Sequence, residues 1–137
     1  MALANPRFDA SYERLFGPNV ALGPDADRFF TRFYELFLAR PGVAPFFAAT
    51  DFERQIGMMK RSLVQLAAYH VLGEESEALR RLAEVHHALG IPDALFDEWL
   101  ASLVATVKEF DPECDEATEI AWCWAMTPGL TYMRNVS

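Results

Sequence analysis

The stretch Leu79-Arg-Arg-Leu-Ala-Glu-Val-His-His-Ala-Leu-Gly-Ile91 puts an imidazole where a packed helix would carry leucine. Leu79, Leu82, His86 and Leu89 follow steps of three, four and three, so they fall on one stripe of a helix. His86 therefore faces inward. His87, turned by about 100°, joins Arg80 and Glu84 on the solvated side. An inward imidazole has two uses. It bonds a backbone carbonyl as a satisfied core residue, or it holds one nitrogen to the backbone and offers the other to a metal, alone or in a haem. The stripe leaves both open. Gly90 stops the helix where a left-handed residue is least costly, and Ile91-Pro92 turns the chain into the next helix.

The elements that must position His86 are all helical. Phe8, Tyr12, Leu15 and Phe16 give the N-terminal segment short helical promise, broken at Gly17-Pro18-Asn19. Pro24-Asp25 opens the next helix. Its stripe is Phe29/Phe30, Phe33 and Phe37, and it ends near Arg40 because Pro41 disfavours continuation. Val43 to Thr50 is a corner bearing Phe46 and Phe47. Asp51 caps a further helix, whose stripe is Phe52, Ile56, Met59, Leu63, Leu66 and His70, with Gln55 beside it. His70 is expected to cap that helix's C-terminus. Gly73 to Ser76 is a polar loop before the His86 helix. Phe96, Leu100, Leu103, Val107 and Phe110 mark a fourth long helix, interrupted at Asp111-Pro112. The last helix carries Ile120 and Trp124 on one side and Trp122, Met126, Gly129 and Met133 on another. Being apolar nearly all round, it is expected to be the most buried, with Pro128 kinking it or ending its regular part. No segment alternates with strand period, and there is no internal repeat.

Composition narrows the function. With 137 residues and 52% hydrophobic content, the chain reads as one domain with a single core. A formal charge of −8 disfavours nucleic acid and anionic membranes as partners. The N-terminus has no charged region followed by an apolar run, and no run approaches the ~20 residues of a bilayer span, so a cytoplasmic protein is expected. Cys114 and Cys123 lack the spacing of a zinc site or disulfide framework, and no Cys-x-x-Cys-His exists to attach haem covalently.

From Asp25 to Met133 the chain resembles the globin family, specifically bacterial single-domain haemoglobins and the globin modules of bacterial haem sensors. The resemblance is carried by Phe33-Tyr34-Glu35, Pro41-Gly42-Val43, Phe46-Phe47 and Thr50-Asp51-Phe52-Glu53-Arg54-Gln55. It continues through His86 with Leu89-Gly90-Ile91 and Phe96, then Ala121-Trp122 and Met126-Thr127-Pro128-Gly129-Leu130. It implies an all-α globin fold, a three-over-three helical sandwich over residues 1–137, with a short or weak first helix and no distinct D helix. It also implies non-covalent haem b, with His86 as proximal iron ligand and the Leu82 carbonyl as acceptor for its other nitrogen. Gln55 takes the distal position as an amide donor. Met59 resembles the distal wall residue and Phe47 the corner phenylalanine against the haem plane. Leu82, Ile91 and Phe96 join them as cofactor contacts. Ungapped register from Pro41 puts Phe33 in the distal pocket; a slip of one residue would substitute Tyr34. Met58 stands where a basic residue often meets a haem propionate, leaving Arg54, Lys60, Arg80 or Arg81 for that role.

Three functions fit these residues. The first is reversible binding of O2, NO or CO at a five-coordinate iron. The second is nitric oxide dioxygenation, which needs an external reductase because the chain has no Gly-rich dinucleotide turn. The third is a cofactor-free helical interaction module whose pocket is filled by its own side chains. A homodimer through the last two helices is a further expectation.

Overall fold

The computed structural model describes residues 5–18, 22–23 and 26–135. Its elements are α1 (Pro6–Phe16), α2 (Asp27–Leu38), a 3-10 turn (Ala44–Phe47), α3 (Phe52–Leu72), α4 (Glu77–Ala88), α5 (Asp93–Phe110) and α6 (Glu116–Arg134). Among the described residues there is no strand. The expected opening at Pro24-Asp25 lies outside the described residues.

Helix ends follow local chemistry. Asp51 accepts the Glu53 amide at 3.2 Å to start α3, and Ser76 Oγ accepts the Leu79 amide at 3.0 Å to start α4. Gly73 (φ 71°) and Gly90 (φ 68°) end those two helices in the left-handed conformation. Only four residues separate the 3-10 turn from α3, and none of them is helical, in keeping with the expected lack of a D helix.

The helices pack in the two layers of a globin-like sandwich. α1, α3, α4 and α5 each pack on α6, α2 packs on α5 and also touches α3, and α3 touches α4. The core between the layers is built from Phe30, Phe33, Leu63, Leu66, Leu79, Leu103, Trp122 and Met126, all fully buried. α3 and α6 approach closely at Gly129, where a Cβ would stand 2.5 Å from Leu66 Cδ2 and 3.4 Å from its Cα.

α6 runs through Pro128 to Arg134, so of the two expectations for that proline the helix does not end there. It departs from expectation in its burial. It is not buried all round: Trp122, Met126, Gly129 and Met133 face the core, but Ile120 and Trp124 are 60% and 54% exposed. Its neighbours α1, α3, α4 and α5 leave that part uncovered.

Short α1 is held by a buried polar clasp. Trp122 Nε1 donates to Ser11 Oγ at 2.9 Å, and Ser11 donates to Asp111 Oδ2 at 2.6 Å. Arg14 closes on Asp111 with two bonds of 2.8 and 2.9 Å. The guanidinium, with Ser11 and the Glu113 amide, holds the Asp111 carboxyl down at about 2.

Candidate functional site

Between α3 on one side and α4 and α5 on the other lies a cavity of about 1210 Å³, beyond the ~300–1,000 Å³ of ordinary ligand pockets. α4 and α5, with the link between them, contribute Leu82, His86, Ile91, Phe96 and Trp99 to its lining. α2, the 3-10 turn and α3 contribute Tyr34, Phe47, Gln55 and Met59.

His86 sits in the last turn of α4 on the Leu79–Leu82 stripe. Its Nδ1 lies 2.8 Å from the Leu82 carbonyl oxygen. A carbonyl only accepts, so Nδ1 carries hydrogen, and in the neutral ring Nε2 keeps its lone pair. The Phe96 ring, tilted at 45° and 6.3 Å away, packs beside the imidazole. His87 is exposed and does not line the cavity. Among the described residues no group of three His, Cys, Asp or Glu side chains is placed to hold a metal ion.

On the α3 side, Gln55 Nε2 donates to Tyr34 Oη at 3.1 Å. Burial raises the Tyr34 phenol to about 12, against a smaller lowering by the Gln55 bond, so Tyr34 remains a neutral hydroxyl at pH 7. Because its oxygen accepts from Gln55, its own hydrogen is free to be donated. The rings of Phe47 and Phe52 stand 5.8 and 5.5 Å from Tyr34 and close the site from behind.

Phe33 is the one expected cofactor contact that does not line the cavity. α2 is wedged between α5 and α3, and Phe33 turns toward α5, with Trp99 at 5.9 Å, while Tyr34 turns toward α3. Phe33 therefore supports the cavity wall through Trp99, and Tyr34 replaces it in the lining. Leu82, His86, Ile91, Phe96, Phe47, Gln55 and Met59, the other contacts that the resemblance implies, all line this one cavity.

The mouth is apolar, and charged residues of both signs, Asp27 and Glu53 with Lys60, Arg61 and Arg81, line the same cavity. Phe46, Met58, Val85 and Leu89 are exposed there. Of the basic residues considered, Arg54 and Arg80 do not reach the lining, whereas Lys60 and Arg81 do. Lys60 is taken up by Asp27 and the Gly23 carbonyl. Arg81 pairs with Glu77 at 2.8 Å, both exposed. Arg61, which sequence spacing did not single out, also lines the cavity. His70 is no helix cap: it is buried, edge-on to Trp124 at 5.9 Å, with neither ring nitrogen hydrogen-bonded.

No described helix is long and apolar enough to cross a membrane. No family model matches the chain, and no curated protein does. Among solved structures, the chain is similar to a Pseudomonas aeruginosa protein described as structurally highly homologous to a human hemoglobin. The two share 31% identity over 96% of each chain, with a TM-score of 0.79. With that identity over nearly its whole length and that structural likeness, the chain belongs to the globin family.

Proposed function

We propose that the chain holds haem b in this cavity and reversibly binds a diatomic gas, O2, NO or CO, on the Gln55–Tyr34 side. The observation that carries the reading is the His86 ring, fixed by Leu82 with its Nε2 lone pair unspent, on the wall of a cavity whose other wall bears two hydrogen-bond donors. The residues fit a flat apolar macrocycle with carboxylates at one edge. Val85 and Leu89 are apolar yet 55% and 62% exposed at the mouth, and Arg61 and Arg81, which line the same cavity, are the cations such carboxylates would meet.

Haem, when bound, supplies a ferrous iron with one coordination position open to a gas. The protein's residues do the rest. The Leu82 carbonyl holds the His86 tautomer and raises the basicity of Nε2. Phe47, Met59 and Phe96 exclude water. Gln55 and Tyr34 present donors toward the space a polar ligand would occupy. A cavity of this size is not filled by the protein's own side chains, which weighs against a cofactor-free module. Turnover as a nitric oxide dioxygenase would add an external reductase, and shows as steady nitric oxide consumption with a cellular reductant, far above autoxidation.

The test is the visible spectrum of the purified protein after addition of haem and dithionite. A five-coordinate ferrous Soret band that shifts with carbon monoxide is expected, lost or altered in His86→Ala and retained in His87→Ala. Specific haem binding by neither the wild type nor the His87 variant would overturn the reading.

A further inference from the structure

Arg134 lies in the last turn of α6 and does not line the cavity, yet it reaches the residues that do. Its Nη2 donates to the Asp93 carbonyl at 2.9 Å and to the Asp97 carboxylate, which ties the end of α6 to the first turns of α5. Its guanidinium carbon stands over the Phe96 ring, 5.5 Å from the ring centre. Its Nε–H is buried with no hydrogen-bond partner, a cost that has to be offset elsewhere. A cation on an aromatic face supplies such an offset.

Phe96 is in turn the ring beside His86, their centroids 6.3 Å apart. It is buried but borders the cavity, so packing does not hold it on that side. His86 has the same weakness. The Leu82 carbonyl fixes Nδ1, but one hydrogen bond leaves a ring able to swing about the bonded nitrogen.

We infer that Arg134 is a positioning residue for His86: laid on Phe96, its planar cation fixes that ring, and the ring fixes the direction in which His86 Nε2 points. Tying α6 to α5 needs only Asp93 and Asp97, and would leave the contact with Phe96 without a use. A guanidinium stacks on a ring where an ammonium cannot, so lysine is an incomplete substitute. The consequence for cofactor binding rests on the haem reading proposed above; the hold on the imidazole does not.

The experiment therefore has a haem-free readout and a haem-loaded one, both on the full chain. By proton NMR at alkaline pH, with the His86 ring signals assigned by their loss in His86→Ala, Phe96→Leu gives the shifts of an imidazole without its neighbouring ring. Arg134→Met is expected to move the His86 shifts toward that baseline, with unchanged circular dichroism. Asp97→Asn, which removes the ion pair and leaves the cation on the ring, is expected to stay near the wild type. Arg134→Lys is expected to fall between, and serves in place of Arg134→Met where that variant does not fold. In the haem-loaded chain, transfer of haem to excess haem-free myoglobin is expected to be about three- to tenfold faster in Arg134→Met. Wild-type His86 shifts in Arg134→Met overturn the inference, as does an equal displacement in Asp97→Asn or an unchanged rate of haem transfer. A wild type that holds no haem overturns the proposed function alone, and the haem-free shifts then decide this inference.

Discussion

Tyr34 and Gln55 show how much one residue of register decides. Phe33 and Tyr34 are neighbours on a helix whose apolar arc is wide, so periodicity buries both and cannot say which meets α3 and which meets α5. The bond from Gln55 to Tyr34 resolves it. Under the proposed function, Gln55→Leu and Tyr34→Phe each remove one donor worth roughly 0.5–1.5 kcal/mol. Oxygen dissociation measured by stopped flow is expected to speed up by as much as about tenfold in either variant. The two side chains touch, so the double variant is expected to fall short of the product of the single effects. His86 was legible because a lone imidazole interrupts a leucine stripe. His70 lies on an equally regular stripe, and nothing in its spacing distinguishes a helix cap from a buried ring against Trp124.

Among the elements, boundaries were the most readable feature. Asp51, Gly73, Gly90 and Pro112, which holds the residue before it extended, act through local backbone chemistry that needs no tertiary partner, and each marks a helix end in the structure. What α6 does between its ends depends on neighbours. Its residues are apolar on every side, so the sequence could not indicate which side would stay uncovered, and Ile120 and Trp124 fall there. Gly129 was readable only as part of a family motif; its physical reason is the approach to Leu66. Gly129→Ala gains up to about 1 kcal/mol in helix propensity, but forces a methyl into a buried leucine. Urea denaturation is expected to show a net loss of roughly 1–2 kcal/mol once overpacking is included.

At the scale of the whole molecule, the clasp of Ser11, Arg14, Asp111 and Trp122 joins the start of the chain to the α5–α6 corner. Sequence reading saw in α1 only a short amphipathic segment, because its partners lie about a hundred residues away. Asp111 sits near 3.9 in an unfolded chain and at about 2 in the fold. Its folded value is the lower one, so its contribution is complete above about pH 4 and is lost as pH falls toward about 2. Asp111→Asn is expected to cost on the order of 2 kcal/mol at pH 7 and to flatten the acid limb of stability against pH, measured by urea titration at pH 7 and pH 3.

α4 owes less to the core than its role suggests. Leu79 and Ala83 are its only buried residues, and its far end, where His86 sits, is bounded on one side by the cavity. A helix so lightly invested opens locally for little free energy. Any group that seats against His86 therefore also completes the burial of α4, and its binding free energy is spent in part on ordering the helix that receives it. Affinity at this site and the local stability of α4 are in that sense one linked quantity: what loosens the helix weakens the site, and what fills the site steadies the helix.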